Sequence, residues 1–463
     1  MAGKYEAPRK RNPLIWLIPL LAVLVIAVAG LVAMEREDPV PAGTTPSFTL
    51  PKETSAPQTT EAVETTEAPE TTEPGIAVTA KATIASQGDL LMHATFFQKK
   101  YNPVCNLGDG NYDFSSLFRY ISEYVSEADY AVANLETTFG GDDFPYQGNP
   151  TFNCPDPLLD TVSAAGYDLL LTANNHSYDT LMTGIDRTLE QVRGKGLDTL
   201  GTRLSEEEPR YMVKDINGIK IGMVCYTYTM AMSGGKPRLN DNSPVENPEQ
   251  INYFSYNDLN KFYSEMEEII SGMQAQGAEA TMLYIHWGTE YELTENANQR
   301  KIAQKMCDLG FDVIVGGHPH VVQPMDLLTS TVNPEHKTVC IYSLGNAVSN
   351  QRRELMRLKT GHTEDGALFT VTFEKYSDGT VAVVDADVLP TWVNLFGNSE
   401  GKNEYNILPL DMEKLEQWQE WFGVSESVYT ELQNSYDRTM DIVGTGLETC
   451  REYLAQRKQD IMG

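Results

Sequence analysis

Between residues 82 and 342, short apolar runs of strand length alternate with longer amphipathic stretches of helix length. A run of about four to eight apolar residues bounded by Gly, Asn or Asp reads as a buried strand, whereas apolar residues recurring every three to four positions bury one face of a helix. Runs at 82–86, 130–133, 169–172, 220–226, 280–285, 313–315 and 338–342 predict strands. Stretches at 115–126, 157–165, 181–195, 257–276 and 296–309 predict helices, one after nearly every strand. This alternation constrains the chain to a layered α/β fold. Two further alternating runs, 366–373 and 381–389, flank Ser377-Asp378-Gly379 and predict a late hairpin. Beyond Asn403 the pattern reads as helical to the end, with Trp418, Trp421 and Phe422 close together, and predicts a helical appendage.

The amino terminus is of another kind. Residues 14–34 are uncharged and dominated by Leu, Ile, Val and Ala, and at about 1.5 Å per residue such a run crosses a hydrocarbon core of roughly 30 Å. Lys4, Arg9, Lys10 and Arg11 precede it, while Glu35, Arg36, Glu37 and Asp38 follow. That asymmetry predicts a single-pass anchor in the cell membrane, with the amino terminus in the cytoplasm and the remainder extracellular. Ala27-Val28-Ala29 before Gly30 has the small-residue spacing of a signal-peptidase site. The apolar run continues past that site, so an uncleaved anchor is the expectation.

After the run the composition shifts to Thr, Pro, Glu, Ser and Ala, with Glu61, Glu64, Glu67, Glu70 and Glu73 at every third position. So little apolar surface and so much like charge predict an extended linker. The expected organisation is a basic tail at 1–13, an anchor at 14–34, a linker at 35–78, a globular domain at 79–395 and a helical segment at 396–463. The formal net charge of −30 argues against nucleic acid as a partner. Six cysteines are present, none in a metal-pair spacing. Cys225, Cys307 and Cys340 sit in apolar or helical contexts and predict buried thiols. Cys105 and Cys154 sit in Pro/Asn/Gly-rich loops, where an oxidising exterior predicts a disulfide.

Of seven histidines, five fall in short motifs at the ends of predicted strands. These are Gly88-Asp89-Leu90-Leu91-Met92-His93, Asn174-Asn175-His176-Ser177-Tyr178-Asp179, His286-Trp287-Gly288 and Gly316-Gly317-His318-Pro319-His320. Asn134-Leu135-Glu136 and Ser343-Leu344-Gly345-Asn346 end two more strands. Loops leaving the carboxyl ends of parallel strands gather at one place, so residues distant in sequence can share a site. Asp89, Glu136, Asn175, His286, His318 and His320 form a mixed oxygen and nitrogen donor set without thiolate. Such a set suits two divalent ions of the Mn, Fe, Co or Zn kind. A pair of ions about 3.5–4 Å apart, clamping a phosphoryl group, needs a bridging carboxylate.

Taken singly, several of these residues have another reading. Asp89 is also a candidate helix cap, Glu136 a solvated loop acid and His93 a hydrogen-bonded structural histidine. Asp179 directly precedes a predicted helix and reads as its N-cap or as a partner of His176. Trp287 reads as a stacking platform for a sugar or peptide, or as an aromatic on the rim. His318 and His320 read most clearly as ligands, because the glycines before them permit close backbone approach and Pro319 stiffens the pair. His336 and His362 lie in polar loops and carry no assigned role.

The six motifs, in this order, resemble the poly-γ-glutamate capsule synthesis (CapA-type) proteins of the calcineurin-like metallophosphoesterase superfamily, over about residues 83–389. The resemblance implies a four-layer α/β/β/α sandwich around two divalent metal ions. Asp89 and His320 would bind one, Asn175, His286 and His318 the other, and Glu136 would bridge them. His176 would protonate a leaving group or hold a phosphoryl oxygen, with Asp179 orienting it. Position 91 is Leu, where the superfamily carries the histidine of an Asp-x-His motif. The activity implied is that of a metal-dependent hydrolase acting on a phosphoester or an anionic cell-envelope polymer. Its expected role is the making, exporting or anchoring of poly-γ-glutamate or a similar capsule beside capsule-synthesis membrane proteins. The alternative is a non-catalytic assembly factor that binds an anionic polymer through its metals.

Overall fold

A computed structural model describes residues 75–240, 242–414, 417 and 425–463. The anchor expected at 14–34, nearly all of the linker, and Trp418, Trp421 and Phe422 lie outside the described residues. Among the described residues no helix is long and apolar enough to cross a membrane.

The fold is mixed α/β, built on two large sheets. The first begins with β1 (Val78–Leu90), followed by two short helices, α1 (Ser115–Phe118) and α2 (Ser122–Ser126). Then come β2 (Tyr130–Asn134), α3 (Pro157–Ala164), β3 (Leu169–Leu171), α4 (Leu181–Gly194) and β4 (Asp198–Leu200). These four strands pair in parallel and in sequence order. The second sheet follows, with β5 (Tyr211–Ile216), β6 (Ile219–Tyr228), β7 (Tyr253–Phe254), α5 (Leu259–Ala275) and β8 (Ala280–His286). It is completed by α6 (Ala297–Leu309), β9 (Val313–Gly317), β10 (Val322–Thr329) and β11 (Lys337–Leu344). Its spatial order is β7-β6-β8-β9-β11-β10, with β5 also paired to β6.

The chain then returns to the first sheet. There, on the side of β1 away from β2, β12 (Asn346–Val348) pairs with the end of β1, and β13 (Asp365–Tyr376), β14 (Val381–Gly397) and β15 (Asn403–Pro409) extend the sheet antiparallel. A long helix, α7 (Glu426–Met462), ends the chain.

Successive side chains of a strand point to opposite faces, and the cores divide accordingly. Ala82 and Ile84 of β1 enter one cluster and Ala85 another. Met282 and Tyr284 of β8 join the first, while Leu283 and Ile285 join a third. The first cluster draws on both sheets, placing Val132 and Leu169 with Ile221 and Val315. The second contains Leu158 and Val162 of α3, and the third Phe262 and Met266 of α5 with Ile302 and Met306 of α6. α7 adds Val443, Leu447, Cys450 and Leu454 to the first, a spacing of three and four that forms one helical stripe. It is tied to β13 where Arg438 Nε and Nη2 each donate to Asp365 at 2.7 Å and Ser435 Oγ donates at 2.6 Å.

Three expectations need correction. The helical reading beyond Asn403 fails first at β15, so the segment 396–463 is not helical throughout. In β15, Tyr405 and Ile407 pack into the second cluster while Leu408 joins Trp392 and Leu432, the two-residue period of a strand docked on β14. The helix expected over 115–126 is two short pieces, α1 and α2. Cys105 and Cys154 are free thiols rather than a disulfide. Both turn from their loops into the second cluster and act there as small hydrophobes, with Cys105 Sγ 3.8 Å from Ser116 Oγ.

Candidate metal centre

The parallel strands of both sheets deliver the chemistry at their carboxyl ends. Asp89 closes β1, Asn134 and Glu136 close β2, and Asn174-Asn175-His176 follows β3. His286 ends β8, His318 and His320 follow β9, and Asn346 follows β11. Adjacent strands align these ends, pairing Asp89 with both Asn134 and Asn346, and His286 with Gly317.

Local backbone features aim the side chains. β1 slips register around Asp89 against both β2 and β12, a bulge that redirects a side chain at a strand end. A Cβ on Gly88 would lie 1.9 Å from the Gly345 carbonyl oxygen, so only glycine lets these two segments close. The same oxygen accepts the Asp89 N–H at 3.0 Å. His318 and His320 adopt φ of 97° and 56°. Left-handed backbone costs about 1–3 kcal/mol per non-glycine residue and is concentrated at functional sites.

The structure gathers two groups of buried side chains, Glu136 with His286 and His318, and Asp89 with Glu136 and His320. Within each, one donor atom per residue lies within 4.8 Å of the others. Glu136 belongs to both, its Oε1 being 3.5 Å from His286 Nε2 and 3.9 Å from His320 Nε2. Asn175 Oδ1 joins the first group at 2.7 Å from His286 Nε2. In the second, His320 Nδ1 lies 3.1 Å from both Asp89 Oδ2 and Asn346 Oδ1. The Asn134 amide donates to Asp89 Oδ1 at 2.7 Å and reaches Glu136 Oε2 at 3.4 Å. The Asn174 amide in turn donates to Asn134 Oδ1 at 3.1 Å.

Two buried atoms here, Glu136 Oε1 and His318 Nδ1, make no hydrogen bond among the described residues. Leaving a buried polar atom unsatisfied costs about 1–3 kcal/mol. Tyr228 Oη meets His318 Nε2 at 3.1 Å, which leaves Nδ1 as the free donor atom of that ring. Burial, reinforced by His286, His320 and His176, holds His318 well below the ordinary histidine range. It is therefore neutral, the form in which imidazole binds a metal. For His320 burial opposes charge, but Glu136 and Asp89 outweigh it and push the ring up to about 9. Burial alone would raise Asp89, yet His320 and the Asn134 amide hold it below its usual value. The acids thus favour positive charge between them. A donor set of carboxylate, carboxamide and imidazole with unsatisfied buried atoms fits a divalent ion, and these groups could bind one.

His176 lies outside both groups. Its Nδ1 contacts Asp179 Oδ2 at 2.7 Å, and although burial works against charge, Asp179 outweighs it and raises the histidine above its ordinary value. Asp179 is not the N-cap of α4. Its carboxylate is drawn away by the Phe152 N–H at 2.6 Å and the Asn242 amide at 2.9 Å, and no side chain caps that helix. Trp287 neither stacks at the mouth nor rims it. It is fully buried, with Nε1 donating to the Tyr342 carbonyl at 2.9 Å. Tyr228 and Asn242 are absent from the motifs, and no sequence signal ties them to His318 or Asp179.

The model of the bacterial capsule synthesis protein family PGA_cap matches residues 83–351 of the 463. The chain belongs to that family. All six motifs of this PGA_cap member, from Gly88 to Asn346, fall inside the matched residues. It is 27% identical over 282 residues to the PGA biosynthesis protein CapA of Bacillus subtilis (strain 168), an alignment covering 59% of this chain and 65% of that protein. It is 26% identical over 315 residues to the capsule biosynthesis protein CapA of Bacillus anthracis, covering 67% of each. The chain therefore spans less than two thirds of the Bacillus subtilis relative's length.

Proposed function

We propose that this chain is a membrane-tethered, metal-dependent hydrolase of phosphoesterase type that serves the synthesis, export or anchoring of poly-γ-glutamate or a related capsule polymer. The observation that carries the chemistry is the pair of buried groups sharing Glu136, with Glu136 Oε1 and His318 Nδ1 left without partners. Family membership and the names of the two relatives support the cellular role. The division of the core, one cluster common to both sheets and two others each holding helices, supports a four-layer α/β/β/α arrangement. In this reading residues 14–34 anchor the chain, 35–78 hold the domain away from the bilayer, and the domain works outside the cell on a phosphoester or anionic polymer, beside capsule-synthesis membrane proteins.

Asp89 and His320 would hold one divalent ion of the Mn, Fe or Zn type, Asn175, His286 and His318 a second, and Glu136 both. Ions bound there supply Lewis-acid polarisation of a phosphoryl oxygen and lower the pKa of water. Asn134 keeps the two carboxylates facing inward, and Tyr228 turns His318 so that Nδ1 faces the group. His176, charged by Asp179, holds a proton ready for a leaving-group oxygen.

One observation favours the non-catalytic reading. Leu91 is a buried apolar side chain where the superfamily carries a histidine, so the Asp89 group has three donors while the other has four. Metal analysis of the purified full-length protein, with turnover of an aryl phosphate in added Mn, separates the readings. Bound metal with turnover that His176→Ala abolishes supports the hydrolase, bound metal without turnover supports an assembly factor, and a metal-free protein rejects both.

A further inference from the structure

His93 closes the first motif, four residues beyond Asp89, yet belongs to neither donor group. Its surroundings fix its tautomer. The Asn350 backbone N–H, which can only donate, points at His93 Nδ1 from 3.1 Å. The Leu91 carbonyl also lies 3.1 Å from Nδ1, but it is already satisfied by the His93 backbone N–H at 3.0 Å, whereas a proton on Nδ1 would face the Asn350 N–H and leave that donor without an acceptor. The lone pair therefore sits on Nδ1 and the proton of the neutral ring on Nε2. Among the described residues Nε2 has no hydrogen-bond partner, and it is not sealed from solvent, for His93 is only half-buried.

The ring also has a defined neighbour. Phe152 packs edge-on against His93 at 5.5 Å and 88°, and against His176 at 4.7 Å and 81°. The Phe152 backbone is held by the same Asp179 carboxylate that charges His176. Phe152 thus links His93 to His176 through two edge-on contacts. Burial, then the fields of His320 and His176, bring His93 down to about 4, so it stays neutral where His176 favours charge. On a chain of net charge −30, an anionic group is held by local donors rather than by the overall field.

We propose that His93 contacts the substrate, its Nε2–H donating a hydrogen bond to an anionic oxygen of the group that His176 also faces. This rests on the reading of the centre as a metal site that takes an oxyanion. It gives the first motif a second task, in which Asp89 serves the metal and His93 the ligand.

The test is calorimetric titration of the Mn-loaded full-length protein with inorganic phosphate, with metal content and thermal midpoint measured on the same samples. His93→Asn keeps an acceptor for the Asn350 N–H and deletes the Nε2 donor. It is expected to weaken phosphate binding by about 10-fold or more while metal content and midpoint stay at the parent's values. His93→Gln, whose amide nitrogen reaches the Nε2 position, is expected to recover part of that loss. Parental phosphate affinity in His93→Asn would overturn the proposal, and a lowered midpoint alongside it would make the residue structural. Loss of metal in His93→Asn would make it a ligand and overturn the proposal equally. A metal-loaded parent that binds no phosphate removes this inference alone, whereas a metal-free parent removes the site reading with it.

Discussion

Glu136→Gln tests the centre most directly, because it preserves shape and removes the one charge common to both groups. Glu136 Oε1 lies 3.5 Å from His286 Nε2 and 3.9 Å from His320 Nε2, so a single atom is positioned to serve either side. At those separations a unit charge pair in a medium of effective dielectric constant about 20 interacts by roughly 4–5 kcal/mol, so removing the Glu136 charge costs the centre several kcal/mol. Losing only a group that supports a ligand lowers metal affinity about 10–100-fold, which bounds the effect from below. Glu136→Gln is therefore expected to weaken both metals by about 100-fold or more. Asn346→Ala supplies the contrast, since among the described residues Asn346 Oδ1 hydrogen-bonds to His320 alone, 3.1 Å from its Nδ1. It should weaken one metal about 10-fold and leave the other. Metal content measured after dialysis against graded chelator reads these as two release steps. Two equivalents retained by Glu136→Gln at parental affinity would refute the shared-carboxylate reasoning.

Three further outcomes follow from contacts already described and a fourth from the charges that flank residues 14–34. Tyr228→Phe removes the hydroxyl at His318 Nε2 and should lower affinity about 10-fold for one metal only, a change visible by calorimetry with folding intact. Trp287→Ala should cost about 3–5 kcal/mol in denaturant unfolding, and a cost near zero would place that ring at the surface instead of in the core. Arg438→Ala leaves the Asp365 carboxylate buried without its cation, so about 3–5 kcal/mol of stability should be lost and α7 should become the first segment cut in limited proteolysis. External protease on intact cells should shave the chain after about residue 40, and full protection would contradict the proposed orientation.

The strands and the polar residues gathered at their ends were readable in the sequence for one physical reason. A parallel strand buried on both faces is a continuous apolar run, and its carboxyl end is marked by the Gly, Asn and Asp of the loop that follows. The reading failed at β15. Asn403, Glu404 and Asn406 sit among the apolar residues of β15, and the pairing with β14 that buries Glu404 and Asn406 is a tertiary event with no local signature. Trp287 misled for a different reason. It adjoins His286 in sequence, but two-residue periodicity sends the histidine to the centre and the tryptophan into the third cluster against Tyr342, their rings 5.9 Å apart. The Tyr228 contact with His318 spans 90 residues, and nothing short of the folded chain reveals it.

The return of the chain to the first sheet bears on how fragments of this protein behave. β1 carries Asp89 on a strand whose neighbour on one side is β13, and the facing hydroxyls of Thr83 and Thr372 are 289 residues apart. A fragment cut at residue 351, where the family match ends, would contain every donor of the centre and still lack that neighbour. Its longest parallel strand would then present a bare row of amides and carbonyls to any other chain, a template for edge-to-edge aggregation. A growing polypeptide is in the same condition until β13 has been made. The minimal soluble unit is thus set by the last strands of the sheet and not by the span of the six motifs.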